Sequence, residues 1–500
     1  MNQPETTSPR AHHVHLIGIG GIGMSYLARW FLSQGWTVSG SDLSGSPLTQ
    51  ELAAERVGVA VGPHKATSLP PGTNLVIRSQ AITVTNPEYL AARKIGVQIY
   101  SLPEMVGILT REHTTIAVSG AHGKSTTTAL IGLILMEADY DPTIMVGTKL
   151  RELGGKNFRL GGNASAAEKN NPLVLRDGEQ FDKKSTALKY LVLEADEYGR
   201  AFHEYTPSIA VVTNIDAEHL DIYTNLAGVK KAFLKYFDNL TQGGLFVLNL
   251  DDANLASLSE KIEEIAKAKD ATIIWYSIEG EAELAAKIKK VIKIPGAHNV
   301  SNALAAVHVA EYLGINRETV LRALSKFEGT WRRMEYKGEA KFDGFPAPVP
   351  VYDDYAHHPT EIRASLAGLR DKYPEHAIIC VFQPHQAKRL EALFKEFQSA
   401  FETADIAMIA PIYKVFGRDE KEDKTYNSET LVKLMQEKYP GHSIFYLSDL
   451  EKNLKPALQI LLSSPIVCGP DATGKPINKP AVIVMMGAGN IVDCTESLMR

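Results

Sequence analysis

Cysteine is nearly missing from this chain. Its three copies in 500 residues, Cys380, Cys468 and Cys494, are too few and too widely spaced for a disulfide framework or a zinc ligand set. Also missing is any apolar run near the eighteen or so residues that a membrane helix needs, and the polar opening MNQPETTSPRAHH holds no signal-peptide core. An excess of one charge is missing as well. Fifty-three Lys plus Arg stand against 58 Asp plus Glu, a net charge of −5, which argues against a general affinity for nucleic acid or anionic membranes. With an ordinary apolar fraction of 44%, the expectation is a soluble, cytoplasmic chain. At about 150 residues per domain, its length predicts roughly three domains, each large enough to bury a core.

What is present is a repeated alternation of strand and helix. HVHLIGIG reads as a buried strand entering a glycine turn, IGMSYLARWFLSQG as the helix behind it, and TVSGSD as a second strand ending in Asp42. This order is that of a doubly wound nucleotide-binding half. NLVIRSQ and QIYS continue it to about residue 112. A second unit opens with the strand TTIAVSG, another glycine turn and the helix TTTALIGLILMEA. It continues through the strands YLVLEAD, IAVVTNI and LFVLNLD to the helix HNVSNALAAVHVAEYLGI. Residues 154–189 have neither apolar period and are expected to form a long surface excursion. A third unit begins near Trp331, with VPVYDDYA, AIICVFQP, DIAMIAP, SIFYL and AVIVMMGAG as strands and EIRASLAGLRDKY and RLEALFKEFQSAF as amphipathic helices. The fold class is α/β, in three domains expected over 1–112, 113–327 and 328–500.

Two glycine turns carry the clearest chemistry. Gly18, Gly20 and Gly23 fit GxGxxG between a strand and a helix, with Gly21 between them and Asp42 nineteen residues after Gly23. Such glycines let a diphosphate approach a helix N-terminus, and Asp42 is placed to accept a sugar hydroxyl. The pattern alone does not separate a nicotinamide dinucleotide from another diphosphate such as a UDP sugar. Gly120-Ala121-His122-Gly123-Lys124-Ser125-Thr126 is a phosphate-cradling loop, although Val118 makes it depart from the longer GxxxxGK[ST] form. Its backbone N–H groups would wrap the phosphates and Lys124 would neutralise the β and γ oxygens. Ser125 or Thr126 would offer an oxygen to Mg²⁺.

Polar clusters at strand ends complete the picture. Glu194-Ala-Asp196-Glu197 and Asn214-Ile-Asp216-Ala-Glu218-His219 lie where open α/β sheets bind ligands, and Glu194 with His219 would suffice for a hydrated magnesium ion beside phosphate oxygens. His298, Asn299 and Asn302 open a helix, either capping it or bonding an adenine edge. Arg332 and Arg333 lie in a turn, where paired arginines are usually solvated but also suit phosphate contacts. Asp353-Asp354-Tyr-Ala-His357-His358 and Gln383-Pro-His385-Gln386-Ala-Lys388-Arg389 end two further strands and look like the wall of a site.

HVHLIGIGGIGMS, SGSD, SGAHGKSTTT, EADEY, AVVTNIDAEHLD, IPGAHNVSNALAA, DDYAHHPTEI, FQPHQAKR and GAGNI, in that order from about residue 13 to 493, resemble the Mur ligase family. The resemblance implies a Rossmann-like first domain that binds a UDP sugar, a central ATP-binding domain with a parallel sheet, and a Rossmann-like third domain that closes over ATP and brings an amino acid. It implies an ATP-dependent ligase that phosphorylates the lactyl carboxylate of UDP-N-acetylmuramate and joins it to L-alanine. Carried over by position, Lys124 and Ser125 are phosphate and Mg²⁺ residues, and Glu194 and His219 the second-metal and acyl-phosphate site. His298, Asn299 and Asn302 are adenine contacts, with Arg333 and Asp354 approaching the nucleotide. His357, His385, Gln386 and Arg389 form the amino-acid pocket. Gly18, Gly20, Gly21, Gly23, Asp42 and Ser79 then belong to a UDP-muramate site.

The chain departs from the family's pattern in places. Ala121 and Ser125 stand where relatives commonly show threonines, EADEYGR replaces EADESD, and RSQAI replaces SSAI. Gln386 replaces one of two arginines expected to hold the alanine carboxylate, so the amino acid is less firmly implied than the reaction. The segments 163–189 and 463–479 carry no readable motif. A ligase that returns a preformed tripeptide to the same sugar nucleotide shares the first two domains' motifs, but FQPHQAKR favours alanine. A nicotinamide-dependent oxidoreductase built on GIGGIG is disfavoured by the intact phosphate loop. Monomer and homodimer both stay open.

Overall fold

The computed structural model describes residues 12–162, 190–345, 347–413, 425–464, 467 and 479–499. The segment 163–189 and most of 463–479 lie outside them, as does Cys468. Three sheets carry the fold, each built from strands of four to eight residues.

The first sheet contains β1 (His13–Ile17), β2 (Thr37–Asp42), β3 (Gly58–Val61), β4 (Leu75–Arg78) and β5 (Gln98–Ser101), in the order β3-β2-β1-β4-β5, all parallel. Strand order reverses beside β1, so the Gly18–Gly23 turn leaves β1 at the topological switch point. The second sheet contains β6 (Thr114–Ser119), β7 (Thr143–Leu150), β8 (Lys156–Arg159), β9 (Tyr190–Glu194), β10 (Ile209–Val212), β11 (Leu245–Asn249) and β12 (Thr272–Tyr276). Its order is β12-β11-β10-β6-β9-β7-β8, parallel except for the β7–β8 hairpin. Here β6 is central and feeds the phosphate loop. The third contains β13 (Glu335–Ala340), β14 (Val349–Asp354), β15 (Ala377–Phe382), β16 (Ile406–Ile409), β17 (Ser443–Tyr446) and β18 (Ala481–Met486) in the order β13-β14-β18-β15-β16-β17, with β13 antiparallel to β14.

Central strands of such sheets are covered on both faces and therefore read as continuous apolar runs rather than alternating ones. Every residue of β15 (AIICVF) and β18 (AVIVMM) is buried. The helix Lys124–Glu137 is likewise apolar along most of its length and buries Ser125 through Gly132. The chain divides into two compact units. One runs to Val291 and includes Ser301–Ser325, holding the first two sheets; the other is Ile292–Val300 with the stretch from Lys326 onward, holding the third.

Two expectations need correction. The excursion expected over 154–189 contains a strand at its start: Lys156–Arg159 pairs antiparallel with β7. The strand buries two adjacent residues, Asn157 and Phe158, one of them polar, so it shows no apolar alternation. Asn157 is fully buried and both ends of its amide are hydrogen-bonded. Its Oδ1 accepts from Arg29 (2.6 Å) and Ser25 Oγ (3.2 Å), and its Nδ2 donates to the Ile22 carbonyl (2.8 Å). RLEALFKEFQSAF, expected as one helix, is two: Ala387–Ala392 and Phe394–Phe397, separated at Leu393 (φ −115°, ψ 22°). Burying Leu390, Phe394 and Phe397 in one core takes precedence over helix continuity.

Candidate functional site

At the end of β6, Gly120 and Gly123 both take left-handed backbone conformations (φ +136° and +84°), and Gly123 caps the helix Lys124–Glu137. A Cβ on Gly123 would lie 2.4 Å from the Asn302 side chain, so only glycine lets the loop pass that residue. The end of β10 braces the loop. Asn214 Oδ1 accepts from the His122 N–H (2.8 Å), Asn214 Nδ2 donates to the His122 carbonyl (2.9 Å), and the His122 imidazole lies 3.3 Å from Asp216.

Lys124 opens that helix with its side chain largely buried. Its ammonium donates to the Gly120 carbonyl (2.6 Å), the Ala121 carbonyl (3.1 Å) and Glu197 (3.0 Å). Burial works against its charge, but attraction from Glu197, Asp196, Glu194 and Glu218 outweighs burial and raises its pKa above the usual lysine value. Glu197, 1% exposed, is pulled the other way. Although burial disfavours its charge, Lys124 and His219 hold its carboxyl below the usual range. His219 Nε2 lies 3.5 Å from Glu197 and 3.6 Å from Glu218, and these acids raise its pKa against the opposing effect of burial. The Glu197 carbonyl accepts from the Tyr223 hydroxyl, which fixes the turn after β9.

Glu194 occupies a different place from its sequence neighbours. It accepts from Ser125 Oγ (3.0 Å) and from the Gly147 N–H (2.6 Å), and burial pushes its pKa up despite those bonds and Lys124. Of the two hydroxyls left open by the sequence, Ser125 is the one aimed at a carboxylate. The ligand atoms of Asp196, Glu197 and His219 lie within 4.8 Å of one another. A hydroxyl and several carboxylates grouped at a phosphate loop are hard oxygen donors that fit magnesium, with the His219 imidazole beside them.

In the first sheet, the Gly20 N–H donates to Asp42 Oδ2 (2.8 Å) and the Ser44 N–H to Asp42 Oδ1 (3.3 Å), so Asp42 closes the glycine turn. Ser79 packs against Gly18, where an added Cβ would lie 2.9 Å from Ser79 Cβ. Gly21 caps the following helix with extended geometry, and Gly23 lies in its first turn beside Leu102.

In the third sheet, Arg333 donates to Glu361 (2.9 Å) and lies over the Tyr355 ring at 5.1 Å. Asp354 is buried and accepts from Ser365 and from the Ala356 N–H; burial lifts its pKa to about 6. The His357 and His385 rings approach to 6.4 Å, edge to face. Gln386 follows with φ +68° as N-cap of the helix that carries the half-buried Arg389. His298 and Asn299 group with this unit and Asn302 with the other, along one helix, Ala297–Tyr312. Asn299 donates to the Pro295 carbonyl (2.7 Å).

Residues 118–310 match the Mur ligase middle domain, 13–114 the Mur ligase family catalytic domain, and 332–469 the Mur ligase glutamate ligase domain. The UDP-N-acetylmuramate–L-alanine ligase of Desulfotalea psychrophila is 34% identical over 98% of this chain and 98% of its own length. That of Caldicellulosiruptor bescii is 35% identical over 97% of each.

The chain belongs to the Mur ligase family.

Among solved family structures, the UDP-N-acetylmuramate-alanine ligase of Thermotoga maritima superposes with a TM-score of 0.68 at 26% identity, over 97% of this chain and 98% of that one. The murein peptide ligase of Psychrobacter arcticus, at 21% identity, shares the fold with a TM-score of 0.62 over 98% and 99%. Family position did not reveal Glu197. In the sequence it is one acid among several, and only the turn after β9 shows that it faces both Lys124 and His219. The only hint was its place three residues beyond Glu194, past the end of the strand. Tyr413, whose ring stacks on that of His385, also carried no motif signal. Among the described residues, no helix is long and apolar enough to cross a membrane.

Proposed function

We propose that this chain is a cytoplasmic, ATP- and Mg²⁺-dependent ligase that joins L-alanine to the lactyl carboxylate of UDP-N-acetylmuramate in peptidoglycan precursor synthesis. What carries the reading is the phosphate loop, with Lys124 held in a ring of carboxylates beside Ser125 and Glu194. The full-length relatives' names supply the acceptor and the amino acid. A carboxylate does not react with an amine until one of its oxygens becomes a leaving group. Transfer of the γ-phosphoryl of ATP to the lactyl carboxylate supplies that group. The amine then attacks the acyl carbon, the C–N bond forms as the C–O bond to phosphate breaks, and ADP and phosphate depart.

Lys124 holds the β and γ oxygens and stabilises charge on the transferring phosphoryl. Ser125, Glu194 and His219 are the residues to hold Mg²⁺, which when bound neutralises phosphate charge. Gly120 to Thr126 wrap the phosphates, and His298, Asn299 and Asn302 contact adenine. Arg333 and Asp354 contact the nucleotide from the third sheet. Gly18, Gly20, Gly21, Gly23 and Ser79 hold the UDP sugar, in a turn that Asp42 closes. His357 and His385 orient the alanine amine and accept its proton, and Arg389 pairs with its carboxylate beside Gln386.

Phosphate release in the presence of UDP-N-acetylmuramate, ATP and Mg²⁺ tests the reading. Release that depends on L-alanine supports it; release that depends on a preformed tripeptide, or none with any amine, overturns it. Within this reading, Arg389→Ala raises the alanine KM by about tenfold or more, the loss expected for a charge-assisted pair, and leaves the sugar-nucleotide KM unchanged.

A further inference from the structure

A row of rings runs along the C-terminal edge of the third sheet. The Tyr355 ring meets the His357 imidazole at 5.3 Å edge to face, His357 meets His385 at 6.4 Å, and the Tyr413 ring stacks on His385 at 5.6 Å with 14° between planes. The last pair is also tied through its backbone. The Tyr413 N–H donates to the Pro384 carbonyl (2.8 Å), and His385 and Tyr413 form an isolated parallel bridge beyond the ends of β15 and β16.

Behind Tyr413 lies the turn that leaves β18. Gly487 takes φ +147°, but Gly489 is not in the left-handed region, so backbone conformation does not demand glycine there. Space does. A Cβ on Gly489 would lie 2.5 Å from Tyr413 Cγ, 2.8 Å from Tyr413 Cβ and 2.6 Å from Gln383 Oε1. Gln383 pins the same turn, donating to Asn490 Oδ1 (2.9 Å) and accepting from the Ile491 N–H (3.2 Å). Gly489 and Gln383 thus form a close-fitting back wall that fixes Tyr413, and Tyr413 fixes the plane of the His385 ring. No residue of this wall belongs to the phosphate loop or the sugar turn.

We propose that Tyr413 is a positioning residue of the amino-acid pocket, setting the orientation of His385 from a seat that Gly489 keeps open. This rests on reading His385 as an amino-acid contact. An offset ring pair contributes up to about tenfold in a binding constant beyond its area, and a planar imidazole loses its aim when the stacked ring is removed. Overpacking at Gly489 displaces the same ring from the other side.

The experiment compares Tyr413→Phe, Tyr413→Ala, Gly489→Ala and the Gly489→Ala/Tyr413→Ala double variant in the full chain, with thermal melts confirming folding. Tyr413→Ala and Gly489→Ala are expected to raise the alanine KM by about tenfold, while the KM values for ATP and UDP-N-acetylmuramate stay unchanged. Tyr413→Phe keeps the ring and restores wild-type behaviour. The double variant raises the alanine KM by less than the product of the two single effects, because the ring contact at 2.5 Å is gone while the contacts of the added methyl with Cβ of residue 413 and with Gln383 Oε1 remain. An unchanged alanine KM in Tyr413→Ala, or equal rises in all three constants, overturns the proposal.

A second measurement does not depend on turnover. In histidine-labelled protein, the ring-current shift of the His385 carbon-bound protons should be lost in Tyr413→Ala and kept in Tyr413→Phe. Its persistence in Tyr413→Ala overturns the proposal, even if the wild-type chain releases no phosphate with alanine. Absence of alanine-dependent release in the wild type counts against the functional reading alone.

Discussion

The two glycine turns of the first unit share one grammar and differ in charge. Both leave a central parallel strand and open a helix, at the ends of β1 and β6. In the first, Asp42 turns back on its own loop and spends both oxygens on the backbone N–H groups of Gly20 and Ser44. In the second, the helix opens with a lysine held by Glu197 and surrounded by further acids. A turn whose backbone and helix dipole bind a diphosphate needs no mobile charge. A turn that must also stabilise a phosphoryl in transit needs a cation and hard oxygen donors beside it. The two turns are alike in their place between a central strand and a helix, and their side chains separate a holding site from a reacting one.

The largest test of that difference is Lys124→Ala. Loss of an electrostatic donor at a transferring group costs about 2 to 4 kcal/mol of transition-state stabilisation, so turnover should fall by roughly a hundredfold to a thousandfold in a folded variant. Near-normal phosphate release would remove the distinction between the turns. Glu197→Gln probes the same turn less severely. Groups that orient a ligand or cation from behind typically contribute about 10- to 100-fold. The expected result is a kcat lowered by about that factor with ATP affinity changed little, because Lys124 keeps its charge and its two carbonyl partners. Isothermal calorimetry with ATP, set beside kcat, separates this outcome from a general loss of binding.

Gly20→Val acts on the holding turn. A Cβ at Gly20 would lie 2.8 Å from Asp42 Oδ2 and 3.2 Å from Thr49 Cγ2, so a branched side chain must push the turn open. UDP-N-acetylmuramate should bind about tenfold or more weakly by calorimetry, in keeping with the cost of overpacking, while ATP binding is retained. NADH binding to the wild-type chain as tightly as the UDP sugar would make the first turn a dinucleotide site and overturn its assignment.

Much of this arrangement was legible in the residue pattern, for a physical reason. Strands buried on both faces leave uninterrupted apolar runs, and both phosphate-type turns need glycine at fixed offsets. β1, β6, β15 and β18 and the two turns therefore stand out. Legibility failed where burial is polar or where the partner is distant in sequence. β8 was read as excursion because one of its two buried residues is Asn157, whose burial is offset by hydrogen bonds to the helix Ile22–Ser33 rather than by apolar contact. Position names Glu194 and His219 but not what stands beside each: Ser125 for the former, and Glu197 with Glu218 for the latter. Three acids within four residues cannot be told apart until the end of β9 fixes which way each one points.

Asp42→Asn is the smallest and sharpest of these tests, because it asks whether the acid after β2 reads the ligand or only closes the turn. An asparagine offers one carbonyl oxygen in place of two carboxylate oxygens. If that oxygen keeps the Gly20 N–H, the amide NH₂ faces the Ser44 N–H, donor to donor. The loss is then about one hydrogen bond, roughly 1 kcal/mol, and it appears as reduced stability of the fold in urea titration. Against it stands a small gain, since removing a negative charge near a bound diphosphate relieves repulsion. The two effects oppose each other in binding but not in folding. The expected outcome is a lower urea midpoint with a sugar-nucleotide KM changed by no more than about fivefold, the equivalent of that one bond. A hundredfold loss of sugar-nucleotide binding at unchanged stability would mean that Asp42 contacts the ligand directly, and the first turn would then depend on its acid as closely as the second depends on Lys124.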